Sequence, residues 1–324
     1  MKFFDAWSVV QTTDHFLYLF IGGRGIGKTY SVLKGNIEDD NYIMYVRRTE
    51  TELKNRCKPD FNPYITINRD IGTNIEVHRQ GDSFIIADGE KKIGVAGALT
   101  TFGKFRGSDF SNVDYIIFDE FIRTNRYKIS DEETAFFNMI ETVQRNREIL
   151  GQKSIKVILL SNANTIDNAI IKSLKLGEII HQMKKTSTEV WTDSERGIYP
   201  QLISNNNDIS RAKAQTALYK LTKGTEFYDM SIGNEFVEDS FDDVKKVNYR
   251  ELMPIVAYDN IYFYKVKNKD ILYCSYRKRN VDIYTSDMLT AFKRGYGLLF
   301  EYYITNKNVL YYDYDIKLQV QSIF

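Results

Sequence analysis

Apolar and polar positions alternate along the first half of the chain as short buried runs separated by longer polar stretches of helical period. Residues 16–21 form an unbroken apolar strand, followed by a glycine-rich turn and a short helix ending near Gly35. Residues 42–48 predict a second buried strand that turns basic at its carboxyl end, the end that faces ligand in open α/β sheets. Between residues 75 and 99 the runs shorten and break at Gly81-Asp82 and Asp88-Gly89, which predicts an antiparallel meander inserted into a parallel core. Residues 114–120 are an apolar strand closed by two acids, Asp119 and Glu120. Ser130 and Glu133 have the spacing of a capping box, ahead of a helix with the buried stripe Phe136, Ile140 and Val143 and a stop at Gly151. Residues 156–160 give the next strand, and this succession predicts a doubly wound, mostly parallel α/β sheet.

The pattern shifts near Pro200, where residues 204–208 are a polar break before a helical stretch at 209–223. From about Lys245 it changes again. Residues 261–266 and 271–276 read as a hairpin across Asn268-Lys269-Asp270, then come a strand at 281–284, a helix at about 286–300 and a last strand at 309–312. The division expected is a first domain over 1–199, a linker or lid over 200–244 and a small α/β domain over 245–324.

Composition adds limits. The chain has 324 residues, and its formal charge of +1 means that any nucleic-acid contact must come from local patches, not from a global positive field. Cys57 and Cys274 are the only cysteines and there are three histidines, too few for a convincing zinc site and in keeping with a reducing cytosol. No apolar run approaches the length of a bilayer span and the first residues lack a signal-peptide pattern, so a cytosolic protein is expected.

The candidate chemistry begins at Gly22-Gly23-Arg24-Gly25-Ile26-Gly27-Lys28-Thr29, which fits G-x-x-x-x-G-K-[ST] at every fixed position and directly follows a strand. Such a loop turns its N–H groups toward phosphate oxygens, while the next helix aims its positive end at the same anion. Lys28 is expected at the β- and γ-phosphates and Thr29 at Mg²⁺. Asp119 supplies the second Mg²⁺ position, and Glu120 is placed as general base for the attacking water. Asn162, at another strand end, is a candidate reader of the γ-phosphate. GTPases need D-x-x-G after the metal aspartate and N-K-x-D for guanine; here Asp119 is followed by Glu120-Phe121-Ile122, and Asn164-Thr165-Ile166-Asp167 lacks the lysine. A small-molecule kinase shares the loop and the metal ligand but does not need an activating glutamate beside the metal aspartate. ATP hydrolysis is therefore the expected reaction.

Taken together, GGRGIGKT, YIIFDEF, ETVQRNRE, LLSNAN and GTEFYDMSIGNEF, in this order, resemble the DNA-packaging ATPases of phi29-like phages, relatives of the terminase large subunits. The resemblance covers most of residues 16–240. It implies a P-loop NTPase of the additional-strand catalytic-glutamate (ASCE) class followed by a small RNase H-like domain. It also implies a homomeric ring, pentameric in that family, which docks on the portal of a prohead and translocates double-stranded DNA using ATP and Mg²⁺. In such rings a basic residue completes the neighbour's site. ETVQRNRE matches the finger segment, with Arg147 as the better match and Arg145 as rival; Arg106 and Lys54 are weaker candidates for a trans contact or a DNA-lining position.

Terminase relatives carry a nuclease in the second domain, whose first central strand must supply an aspartate to a two-metal cluster. The expected counterpart, residues 261–267, has no acid, although Asp282, Asp313 and Asp315 lie further on. The expectation is a vestigial domain without nuclease activity. Lys265 to Lys269 and Arg277-Lys278-Arg279 give it a basic surface suited to DNA or a scaffold RNA. Two other functions remain open at this point: another ASCE translocase or helicase, and a non-motor regulatory ATPase.

Overall fold

The computed structural model describes residues 3–80, 83–105, 108–122, 129–163, 165–203, 208–228, 231–232 and 241–324. They divide into two compact units, one of Met1–Ile170 with Met183–Glu238 and the other of Ile171–Gln182 with Asp239–Phe324.

The first unit is built on eight strands: β1 (Leu17–Ile21), β2 (Ile43–Arg47), β3 (Ile75–Gln80), β4 (Ser83–Asp88), β5 (Lys91–Ala98), β6 (Tyr115–Asp119), β7 (Lys156–Ser161) and β8 (Ile198–Leu202). They lie in the order β3-β4-β5-β2-β6-β7-β1-β8. From β5 to β8 all neighbours are parallel, while β3 and β4 are the predicted antiparallel meander, added at one edge. Every residue of β1, β2 and β6 is buried, which is why these strands read as continuous apolar runs rather than alternations. The place of the additional strand expected for an ASCE sheet is taken by β7, seated between β1, which leads into the glycine-rich loop, and β6, which ends in the acids.

Pro200 lies within β8, not beyond the sheet. There β8 is the edge strand, the position where a residue without an N–H is tolerated.

Helices pack on this sheet at α1 (Ala6–Thr12), α2 (Lys28–Glu38), α3 (Glu50–Arg56), α4 (Ile65–Ile71) and α5 (Glu132–Gln144). Gly35 does not stop α2. A Cβ there would meet the Trp7 ring at 2.0 Å, so the glycine is what lets α1 lie on α2. The capping box does not form either. The N-cap is Asp131 at φ 51°, without a side-chain bond to the helix, because Glu132 at the next position is buried in an ion pair with Arg48 at 2.9 Å. The buried stripe of α5 is Phe136, Met139 and Val143, with Ile140 half-buried, and the helix ends at Gln144, well before Gly151. The expected helix at 209–223 is two, Asp208–Ala214 and Ala217–Leu221.

The second unit holds β9 (Leu252–Tyr258), β10 (Ile261–Val266), β11 (Leu272–Ser275), β12 (Ile283–Tyr284) and β13 (Val309–Tyr311), ordered β12-β9-β10-β11-β13. The predicted hairpin is β10-β11, but an earlier strand, β9, precedes it and pairs with β10 across a register shift beside Pro254. An aromatic cluster of Phe263, Phe292 and Phe300 joins the sheet to the long helix Leu289–Thr305. Asp313 and Asp315 are not strand acids. Asp313 caps the last helix, Tyr314–Ile323, by accepting from Ile316 N at 2.8 Å, and Asp315 sits in its first turn. Among the described residues no helix is long and apolar enough to cross a membrane.

Candidate nucleotide site

Parallel register brings the ends of four strands to one edge: Ile21 pairs with Ser161, Leu160 with Asp119, and Phe118 with Val46. At that edge lies a cavity of about 700 Å³ lined by Phe3, residues 24–30, Thr66, Asp70, Asp119, Glu120, Ser161 and Asn162. The glycine-rich loop makes its turn with Gly25 at φ 62° and Gly27 at φ 106°, a left-handed geometry that favours glycine at both positions. Gly27 is also the N-cap of α2, so the loop's orphan N–H groups and the helix's positive end share one focus.

Lys28 is buried, and its Nζ donates to Gly22 O at 2.8 Å, Gly23 O at 2.7 Å and Asn162 Oδ1 at 3.4 Å. Burial lowers its pKa to about 7, against the opposing pull of Asp119. A polyphosphate in the cavity would hold the ammonium form, so binding above that pH takes up a proton. Affinity for ATP is therefore expected to weaken as pH rises from 7 to 8.5, by about tenfold at most per pH unit. Titrations across that range, and calorimetry in buffers of different ionisation heat, check it; a dissociation constant flat with pH overturns it.

Thr29 Oγ1 donates to Asp119 Oδ1 at 2.9 Å. The second oxygen of Asp119 accepts from Tyr45 OH and from Arg47 Nη1, each at 2.9 Å. This fixes the carboxylate and leaves the lone pairs of the threonine hydroxyl available to a cation. The donors are oxygens and few, which fits Mg²⁺, an ion bound through one or two protein groups together with phosphates and water.

Consecutive strand residues point to opposite faces, yet Asp119 and Glu120 both line the cavity. The reason is Glu120 itself, at φ 54°: the chain turns left-handed just after β6 and swings the second acid back to the side of the first. Arg47 then bridges the two, its Nη2 donating to Glu120 Oε2.

The structure thus brings together Lys28, Thr29, Asp119, Glu120 and Asn162 as the sequence predicts. It does not bring Arg147 to them. The Arg147 guanidinium is buried and donates to Val113 O at 2.7 Å, Phe110 O at 2.7 Å and Ser111 O at 2.9 Å. These carbonyls end the segment leading into β6, so within the single chain the Arg147 guanidinium holds its own backbone together. Arg145 is exposed, at φ 45°, with bonds to Thr142 O at 3.2 Å and Ser108 O. Lys54 pairs with Glu50 one turn back on α3. Arg106 lies outside the described residues.

Sequence reasoning missed Tyr45 and Arg47 as partners of the acids; the signal was present in the basic end of β2, one strand away from β6. It also missed Lys213, in helix Asp208–Ala214, whose Nζ donates to Arg24 O beside Gly25. Nothing in its local spacing marks it.

Comparison with known proteins gives the family and the fold. The family model described as Podovirus DNA encapsidation protein (Gp16) matches residues 3–297. The DNA packaging protein of Bacillus phage B103 is 32% identical over 233 residues, covering 70% of this chain and 66% of that protein. That of Bacillus phage phi29 is 30% identical over 236 residues, covering 70% and 64%. The match therefore spans just under two thirds of the length of these relatives. Among solved structures, a chain of the bacteriophage phi29 viral genome packaging motor assembly superposes with a TM-score of 0.68 at 22% identity, covering 99% of this chain and 98% of that one. A chain of the phi28 gp11 DNA packaging motor gives 0.67 at 20%, covering 97% and 95%. At such identities these two establish the fold.

Proposed function

The chain belongs to the Podovirus DNA encapsidation protein (Gp16) family, and from that premise we propose that it is an ATP-hydrolysing ring motor driving double-stranded viral DNA through the portal into a phage prohead. One observation carries the reading: Thr29 is hydrogen-bonded to Asp119 in a cavity shared with Lys28, Glu120 and Asn162. Lys28 and the loop N–H groups hold the phosphates of ATP. Thr29 and Asp119 hold Mg²⁺, which neutralises charge on the transferred group. Glu120 takes the proton of the attacking water, and Asn162, already within reach of Lys28, reads the γ-phosphate.

The ring is a homo-oligomer, a pentamer by family resemblance, working at the portal vertex in the host cytoplasm. Arg145, exposed just beyond α5, is the finger offered to the neighbouring site in place of Arg147. The second unit is read as the vestigial RNase H-like domain, without nuclease activity: its first strand, β9, contains no acid, and Asp313 is spent on a helix cap. Its exposed cations Lys265, Lys267, Lys269, Lys278 and Arg279 suit DNA or a scaffold RNA.

The test is ATP hydrolysis by the purified chain with and without portal-bearing proheads and DNA. Strong stimulation by proheads together with double-stranded DNA is expected. Hydrolysis indifferent to any DNA overturns the motor, and stimulation by single strands alone favours a helicase.

A further inference from the structure

The cavity is larger than a triphosphate requires, and part of its wall is made by side chains that the phosphate chemistry does not use: Phe3, Tyr30, Thr66 and Asp70. Thr66 and Asp70 are four residues apart on α4 and so share one face of that helix. Tyr30 directly follows the metal-binding threonine, and its hydroxyl donates to Asp70 Oδ2 at 2.6 Å. The segment carrying Phe3 is fixed over the start of α2: Phe4 N donates to Ile26 O at 2.9 Å, and a Cβ on Gly27 would stand 3.0 Å from the Cβ of Phe3. Phe3 remains 55% exposed, with ring surface open to a flat partner.

We propose that Phe3, Tyr30, Thr66 and Asp70 form the seat for the nucleobase, and that Asp70, with one oxygen occupied by Tyr30, selects adenine through its exocyclic amine. The inference rests on the reading of the cavity as an ATPase site. An ionised carboxylate only accepts hydrogen bonds. With one lone pair of Oδ2 engaged by Tyr30, Oδ1 is the more open acceptor that Asp70 offers, which suits the single amine of adenine. Guanine would present two adjacent donors, one of them to the oxygen that already accepts from Tyr30, which makes that pairing the weaker one. In the pose that serves ATP, both GTP and ITP place a carbonyl oxygen where the amine was, facing an anion. Thr66 can donate to a ring nitrogen beside that amine, and Phe3 supplies a stacking surface that any base can use. Base choice is thereby assigned to Asp70 and Tyr30, and base retention to Phe3.

The test uses the full chain and displacement of a ribose-labelled fluorescent ATP by ATP, ITP and GTP. Wild type is expected to bind ATP about tenfold or more tightly than ITP, the usual worth of one hydrogen bond to a charged group. Asp70→Asn, whose amide both donates and accepts, should bring ATP and ITP within about threefold of each other while leaving the fold intact, since the residue is exposed. Tyr30→Phe frees the second oxygen and should raise GTP binding relative to ATP, a shift that a merely structural tyrosine would not produce. A wild-type ATP-to-ITP ratio in Asp70→Asn, or equal binding of the two by wild type, overturns the seat and leaves the ATPase reading standing. A wild-type chain that binds no triphosphate overturns both.

Discussion

Glu120→Gln is expected to bind ATP as the wild type does and to hydrolyse it at least about a hundredfold more slowly, the usual worth of a general base. The substitution keeps shape and length, and a carboxamide oxygen can still accept from Arg47, so the turn after β6 and the bridge to Asp119 survive. What disappears is a carboxylate oxygen able to take a proton. In the native chain Arg47 occupies Oε2, which leaves Oε1 for water. Single-turnover hydrolysis beside equilibrium binding separates the two effects. Undiminished turnover would place the base elsewhere, and lost binding would show that Glu120 serves to shape the loop.

The second large effect belongs to the arginine that turned inward. Arg147→Ala removes the donor of three carbonyls, two of them through bonds that are themselves buried, and should destabilise the first unit by about 3–5 kcal/mol, the summed cost of acceptors left unpaired at about 1–3 kcal/mol each. Chemical denaturation followed by circular dichroism reads this as a shifted midpoint. In mixtures with wild type, Arg147→Ala should lower packaging only in proportion to its mole fraction, because a destabilised subunit is lost from assembly without blocking its neighbours. Arg145→Ala should fold normally yet poison rings beyond its mole fraction. Normal stability together with poisoning by Arg147→Ala would restore it as the finger.

Much of this site was legible because its chemistry depends on local order along the chain. The loop from Gly22 to Thr29 and the pair Asp119-Glu120 are contiguous, and the strands that deliver them are buried on both faces, hence written as unbroken apolar runs. Asn162 could be placed by the same logic, since it follows the next such strand. What escaped were relations across the sheet. Arg47 belongs to the acids only because β2 lies beside β6, and Asp70 meets Tyr30 only because α4 folds back over α2. The surroundings of Arg147 were hidden for a related reason: a cation past a helix end looks the same whether it faces solvent or the carbonyls of its own chain. Burial decides, and it is a property of the whole fold. In the second unit β9 was hidden by Pro254, which a register shift accommodates.

Arg47 and Arg48 are neighbours at the end of β2, and adjacent residues of an extended chain face opposite ways. One serves Asp119 and Glu120, the other Glu132 at the head of α5. Chain length here is consequently fixed to the residue. A single insertion or deletion between Ile43 and Arg47 would turn each arginine to the opposite face, away from its own acid, and leave Asp119 and Glu132 without these partners. Surface loops of this protein can drift in length as its lineage diversifies, whereas this short strand admits substitution but no change of count.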